Sequence, residues 1–165
     1  MRPLLVLAIA LGALGSSRGP LGDDLTLTVR PVDPAVSAGA EVSIEARVWN
    51  AGPRPRRLIV PLSWPNAYFF IEVHGPDGRA LSSHIRQPHD ETPMELRGEN
   101  ETSIPALGFV GRRIVLSWRQ SSTDPGFDFG QPGVYKIVAA MSVFDPDTRL
   151  GVALVSDTVE VRIRP

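Results

Sequence analysis

Three histidines are the residues with the most obvious potential for metal chemistry. His84 and His89 lie near Asp90 and Glu91 in the sequence, and we expect His74 to sit across a hairpin from His84. Imidazole nitrogens and carboxylate oxygens are both good zinc ligands. The spacing matches no established metal motif, however, and three exposed polar side chains on a hairpin and its loop account for the same residues. We therefore predict no metal site, with metal binding by this group left open as the alternative.

Acid–base catalysis has one candidate pair, Asp124 and Asp128, in a loop that also carries Phe127 and Phe129. Paired carboxylates can perform such chemistry, but a polar loop anchored by buried aromatic rings explains them more simply. After residue 15 the chain has no Gly-x-Ser-x-Gly turn, no His-Glu-x-x-His helix and no phosphate-binding glycine loop. It contains no cysteine, which excludes disulfides, thiol catalysis and cysteine-ligated zinc. We predict a protein that is not an enzyme and takes no cofactor.

Three aromatic side chains, Trp64, Tyr68 and Phe70, are the candidates for a binding site. Trp64 lies in a Ser-Trp-Pro-Asn turn, and Tyr68 and Phe70 lie on the strand face opposite Phe69 and Ile71. If that face is exposed, the three rings form a contact patch, because aromatic side chains are enriched in interface cores. If the strand is covered on both sides, they belong to the core. We favour the core interpretation and keep the three residues as the binding candidate.

Arg54, Arg56 and Arg57 form a second candidate surface, a basic cluster beside two prolines. Such a cluster could contact an acidic partner or anionic lipid headgroups. Charged residues also discourage aggregation through strand edges, and we favour this role in a solvated turn.

The charge balance argues against nucleic acid as a partner. The chain has 17 Lys and Arg against 18 Asp and Glu, a net charge of −1. Nucleic-acid-binding domains normally carry a basic face. A protein partner fits this composition better.

The candidate residues described above must be positioned by short segments in which apolar and polar side chains alternate. Apolar and polar side chains alternate with period two in seven or eight runs, which are separated by turns rich in Pro and Gly. The clearest run follows Pro132-Gly133, and its inward set is Tyr135, Ile137, Ala139, Met141 and Val143. No amphipathic helix is evident. The pattern predicts an all-β fold, a single immunoglobulin-like antiparallel sandwich of about seven to eight strands.

The runs also give local predictions. The last strand should cover residues 153–163, with Val155 inside and Ser156 outside. Pro61 lies within an apolar run and favours an edge strand or a bulge there, because proline cannot donate to a ladder. The Tyr135 hydroxyl should need a backbone partner near the start of its strand.

Other segments are predicted to connect strands. Residues 31–39 form a connector, residues 75–78 a tight turn whose hairpin returns through residues 79–85, and residues 86–105 and 120–130 two long loops.

The first 15 residues have the composition of a secretory signal peptide. Arg2 supplies the positive charge, residues 4–14 form the apolar region, and Ala13 and Gly15 place small residues before a cleavage site at Ser16. The apolar run is too short to span a bilayer comfortably. An uncleaved N-terminal anchor is the alternative.

The predicted organisation is therefore a signal peptide at 1–15, a flexible leader at 16–23 and a β-sandwich at 24–165. After signal removal no segment approaches the roughly 20 apolar residues of a membrane helix, so we predict no stable membrane span. The expected localisation is secreted or periplasmic.

The order of features resembles that of the bacterial intracellular proteinase-inhibitor (BsuPI-like) domain family, over about residues 24–164. The resemblance implies an immunoglobulin-like fold and a loop that inhibits a proteinase, but no inhibitory residue carries over to this chain. The matching motifs are the strand end Trp49-Asn50, the turn Gly75-Pro76-Asp77-Gly78 and the strand start Pro132-Gly133-Val134-Tyr135.

The predicted function is an exported, non-catalytic β-sandwich module that binds another macromolecule, a protein, through its loops. Proteinase inhibition is one form of this function, with the loops at 86–105 and 120–130 as the contact segments. The alternatives are a structural or accessory envelope protein without a dedicated site, and a metal- or sugar-binding module.

Overall fold

The computed structural model describes residues 23–62, 68–83, 101–117 and 126–165. These residues form ten strands and no helix, which confirms the predicted all-β class. The strands are β1 (Leu25–Pro31), β2 (Ala35–Ser37), β3 (Ser43–Asn50), β4 (Arg56–Ile59), β5 (Phe69–His74), β6 (Glu101–Ile104), β7 (Gly108–Val115), β8 (Gly133–Phe144), β9 (Gly151–Val155) and β10 (Val159–Arg164). The strand number exceeds the predicted seven to eight, because β2 and β6 form in predicted connections and the last strand is divided.

The strands form two sheets. The smaller sheet has the order β1-β3-β7 and is antiparallel. The larger sheet is built around β8, with β4 and β5 along one edge and β9 and β10 along the other. β6 lies beyond β4, and β2 pairs in parallel with β10. The larger sheet is therefore mixed, and the β2–β10 pair is the one exception among the described strand pairs to the predicted antiparallel sandwich.

The hydrophobic core lies between the sheets, where β1 packs against β8, β9 and β10. Each large apolar side chain buried there contributes about 1.5–3 kcal/mol relative to its exposed state. The inner face of β8 is the set predicted from alternation, Tyr135, Ile137, Ala139, Met141 and Val143.

Tyr135 fixes the start of β8. Its hydroxyl donates to the backbone oxygen of Gln131 at 2.8 Å, which confirms the predicted backbone partner. This arrangement resembles the tyrosine corner of immunoglobulin-like sandwiches. Burial raises the pKa of the Tyr135 hydroxyl. Phe129 packs against the Tyr135 ring with centroids 5.0 Å apart, so the loop before β8 is anchored by aromatic side chains as predicted.

A β-bulge divides the last predicted strand. Val155 lies opposite Ala140, and Val159 lies opposite Ile137, so three residues face two on β8. One extra residue reverses which side chains point inward. The predicted inward position of Val155 is therefore wrong, since Val155 is 62% exposed, and Ser156, predicted outside, is buried.

Pro61 lies just beyond β4, which ends at Ile59. β4 is not an edge strand, because it lies between β8 and β6. The edge-strand prediction fails because β6 forms within residues 86–105, which were predicted to be a loop. Pro61 avoids the ladder by lying after the strand instead.

Candidate functional site

The exposed face of β5 carries two of the three predicted binding residues. Phe69, Ile71 and Val73 point into the core. Tyr68 and Phe70 therefore face outward, and Phe70 is 56% exposed, so the core interpretation is wrong for Phe70. Trp64 lies outside the described residues.

Phe70 belongs to an apolar row across three adjacent strands. It lies opposite Ala140 of β8, which in turn lies opposite Val155 of β9. Directly opposite side chains on neighbouring strands are about 4.5–5.5 Å apart at Cβ. The exposed Phe70 and Val155 side chains thus flank one small residue and form a continuous surface. The outward position of Val155 cannot be predicted from the sequence, because no residue type marks the bulge that turns this side chain outward.

A second aromatic pair extends this surface. The Tyr68 ring meets the Phe144 ring edge-on, with centroids 5.0 Å apart and an interplanar angle of 80°. Phe144 covers Gly151, where an added Cβ would come within 2.8 Å of the ring. We name the group Tyr68, Phe70, Ala140, Phe144 and Val155 the outer patch.

The other end of the same face is ionic. His74 of β5, Lys136 of β8 and Glu160 of β10 lie opposite one another in a single row. They border a groove of about 630 Å³ that is also lined by Val138 and Thr158. The larger sheet therefore presents an apolar area beside a row of charged and titratable side chains.

His74 is held by two groups that can only accept hydrogen bonds. Its Nδ1 lies 3.1 Å from the backbone oxygen of Gly78, and its Nε2 lies 2.7 Å from a Glu72 carboxylate oxygen. Both contacts are satisfied together when both ring nitrogens donate, as they do in the charged imidazolium. The pKa of His74 is raised, first by the Gly78 carbonyl and then by Glu72, against the opposing effects of burial and of the Lys136 charge.

Only one histidine of the predicted group, His74, lies in the described part of the chain. Its bridge partner across the hairpin is Ala80, and residues 81–83 form no strand. His84, His89 and the neighbouring carboxylates lie outside the described residues. Residues 23–62, 68–83, 101–117 and 126–165 contain no group of three or more His, Cys, Asp or Glu that could hold a metal.

The carboxylate pair is likewise only partly described. Asp124 lies outside the described residues. Asp128 accepts a hydrogen bond from the Gly130 amide at 2.8 Å, a turn-forming contact.

Two arginines of the basic cluster pair within the chain. Arg56 lies 3.2 Å from Asp24, and Arg57 pairs with Glu101 and, at 3.5 Å, with Asp147. The Glu101 hydrogen bond raises the pKa of Arg57, and the same bond lowers that of Glu101. These pairs connect β4 to neighbouring strands and turns, which agrees with a solvated structural role.

We expect replacement of His74 by glutamine to lower stability more at acidic than at alkaline pH. The folded pKa lies above the unfolded value of 6.5, so its stabilisation is present below that value and disappears as pH rises through the folded pKa. The side chain is 36% exposed, and screening should limit the effect to a few tenths of a kcal/mol. Urea unfolding of parent and His74→Gln on both sides of neutrality measures it. An equal difference at both pH values would contradict the prediction.

No helix among the described residues has the length and apolar character needed to span a bilayer. This finding concerns only those residues.

Comparisons with known proteins give a distant likeness in shape. No protein-family model matches, so the resemblance to the BsuPI-like family has no support from a family match. No curated protein matches either. The CARDB domain of a Pyrococcus furiosus protein, crystallised in complex with di-metal ions, is 15% identical, with 86% of this chain and 88% of that chain covered and a TM-score of 0.40. Its solution NMR structure is 16% identical, with 85% and 94% covered and a TM-score of 0.36.

The alkylpurine DNA glycosylase AlkC of Pseudomonas fluorescens, bound to DNA containing an abasic site analogue, is 13% identical with a TM-score of 0.39. The alignment covers 87% of this chain but only 31% of the glycosylase. At these identities and TM-scores the likenesses carry no argument about function. The fold assignment rests on the strands, sheets and core described above.

Proposed function

We propose that the protein is an exported, non-catalytic β-sandwich module that binds a protein partner through the outer patch. The supporting observation is the exposed row of Phe70, Ala140 and Val155 across three strands. Isolated exposed apolar residues are ordinary, but a contiguous apolar area with a polar border is typical of an interaction surface. The ionic row of His74, Lys136 and Glu160 provides such a border on the same face.

The outer patch also has suitable composition and rigidity for protein recognition. Aromatic side chains dominate interface energetics when they fill pockets on a partner. Phe70 stands on a strand paired along its whole length with β8, so little conformational entropy is lost on binding. The proposed contact surface is thus a sheet face, rather than the two long loops suggested by the sequence.

Export is supported by the sequence of residues 1–15. Mass spectrometry of the full chain expressed in a bacterial host should find a mature N-terminus at Ser16 in the exported fraction. Retention of an uncut chain in the cytoplasm would contradict this part of the proposal.

Binding can be tested with a photo-crosslinking amino acid placed at position 70 or 155 in cells that express the full chain. We expect a discrete cross-linked protein from both positions. The matched control is position 32, because Val32 is also exposed, at 40%, but lies in the β1–β2 connection. A Val155→Glu change should abolish the cross-link from position 70.

Equal cross-linking from positions 32 and 70, or none from either, would contradict the proposed surface. The absence of any cross-link at 70 and 155 would favour the alternative, an accessory protein without a dedicated site.

A further inference from the structure

Strand β7 is an open edge of the smaller sheet in the described part of the chain. All eight of its residues pair with β3 along one side. The sheet order β1-β3-β7 places no described strand along the other side. Just past the end of β7, Phe127 forms a bridge with Ser117 and donates to the Leu116 oxygen at 2.7 Å, so among the described residues the open part of the edge is β7 itself. An open edge offers backbone donors and acceptors to an incoming extended chain.

The hydrogen bonding of the ladder shows which backbone groups are available. The Leu116 amide donates to the Val42 oxygen at 2.8 Å, in register with the β3–β7 pairing. Hydrogen-bonded pairs alternate along an antiparallel ladder, so the even-numbered residues of β7 bond to β3. The amides and carbonyls that point away from β3 belong to Phe109, Gly111, Arg113 and Val115.

The opposite side of β3 confirms this assignment. The Val32 amide donates to the Ser43 oxygen at 2.9 Å, in register with the β1–β3 pairing. Odd-numbered residues of β3 therefore face β1, which leaves the even-numbered ones for β7.

The side chains along this edge are cationic and apolar. Arg112 is exposed and forms no ion pair with any described residue, whereas Arg113 pairs with Glu41 at 2.9 Å. Phe109 and Val115 are 42% and 45% exposed near the two ends of the strand. The edge therefore matches an extended segment that carries acidic and apolar residues.

Phe109 is held ready for such a contact by its neighbours. The Trp49 ring lies with its centroid 4.6 Å from that of Phe109, and the Arg47 guanidinium carbon lies 4.5 Å from the Phe109 centroid. A side chain fixed before binding loses less entropy when the partner arrives.

We propose that β7 binds an extended acidic peptide segment as an additional strand of the smaller sheet. Backbone hydrogen bonds supply affinity in this mode, and side-chain contacts supply selectivity. Arg112 attracts carboxylates and repels the β7 edge of a second copy, so one residue favours the acidic partner and disfavours self-pairing. This site is on the opposite sheet from the outer patch and does not depend on the proposed function.

The test uses two labelled synthetic peptides, one of alternating valine and glutamate and one of alternating valine and lysine. Fluorescence anisotropy at low salt should show the glutamate peptide binding at least about tenfold more tightly, because complementary charge selects the partner. The Arg112→Glu variant should reverse the preference. Equal affinity for the two peptides, or no binding of either, would overturn the proposal.

Amide hydrogen exchange of the parent protein by NMR locates the peptide independently of any variant. The glutamate peptide should slow exchange at Phe109, Gly111, Arg113 and Val115, while the even-numbered amides, already bonded to β3, change little. Binding that leaves the four odd-numbered amides unprotected would also overturn the proposal.

A matched pair of variants separates the backbone from the side chain. Arg113→Pro removes one outward amide without removing a β3 hydrogen bond, and Arg113→Ala removes the same side chain but keeps the amide. We expect the proline variant to lose peptide binding and the alanine variant to retain it. Similar affinities for the two would contradict strand addition.

Discussion

Replacement of Asn50 by alanine should destabilise the sandwich by about 3 kcal/mol, because one fully buried side chain is the hydrogen-bond partner of several backbone groups. Asn50 is fully buried at the end of β3. Its Nδ2 donates to the backbone oxygens of Arg54 at 2.8 Å and Pro105 at 3.0 Å. Its Oδ1 accepts from the Gly52 amide at 3.0 Å. One side chain thus connects the β3–β4 loop to the β6–β7 turn.

Urea unfolding followed by tryptophan fluorescence measures this loss. The matched control is Thr28→Ala, which removes the acceptor for the Trp49 indole N–H at 3.0 Å on the exposed side of the same sheet. Water can replace that acceptor, so the control should cost about 1 kcal/mol or less. Equal losses in the two variants would contradict the connecting role of Asn50.

Asn50 also shows how far sequence reasoning reaches. The sequence predicts the strand end at Trp49-Asn50, since Asn50 is followed by Ala51, Gly52 and Pro53. It does not predict the connecting role of Asn50, because Pro105 is 55 positions away along the chain. Tyr135 is the opposite case, since its partner Gln131 is only four residues away and the alternation of β8 shows which way the ring points. Local partners can be predicted, and distant ones depend on the packing of the whole sandwich.

In the candidate site, too, local features could be predicted and distant contacts could not. Alternation correctly placed Tyr68 and Phe70 on the face opposite Phe69, but could not show whether another layer covers that face. Phe70 and Val155 lie on either side of Ala140 because of the register of β5 and β9 on β8. No single residue type in the sequence specifies that register. β6 was missed for a related reason: its four residues are mostly polar, and they form a strand because β4 offers a ladder.

Truncation of two adjacent residues in β9 should change the free energy of unfolding by very different amounts. Leu154→Ala should cost about 3 kcal/mol, since deleting buried methyl groups leaves a cavity in the core. Val155→Ala should change stability by less than about 0.5 kcal/mol, as exposed substitutions usually do. Leu154 lies opposite Met141 on the inner face, and Val155 lies opposite Ala140 on the outer face. An unbroken strand would instead place Val155 on the inward face with Val159, and would predict the larger loss of stability for Val155→Ala.

The bulge determines which of the two side chains is buried, and hydrogen bonds of Ser156 stabilise the bulge. The Ser156 amide donates to the Ala139 oxygen at 2.9 Å, and its hydroxyl accepts from the Ala139 amide at 3.0 Å. A serine side chain thereby takes the place of a strand carbonyl, so the Ala139 amide keeps a partner across the bulge. Thermal and urea unfolding of the two alanine variants measures the outcome. A larger loss for Val155→Ala would show that β9 faces the core as an unbroken continuation of β10, and the outer patch would then lose one side of its apolar row.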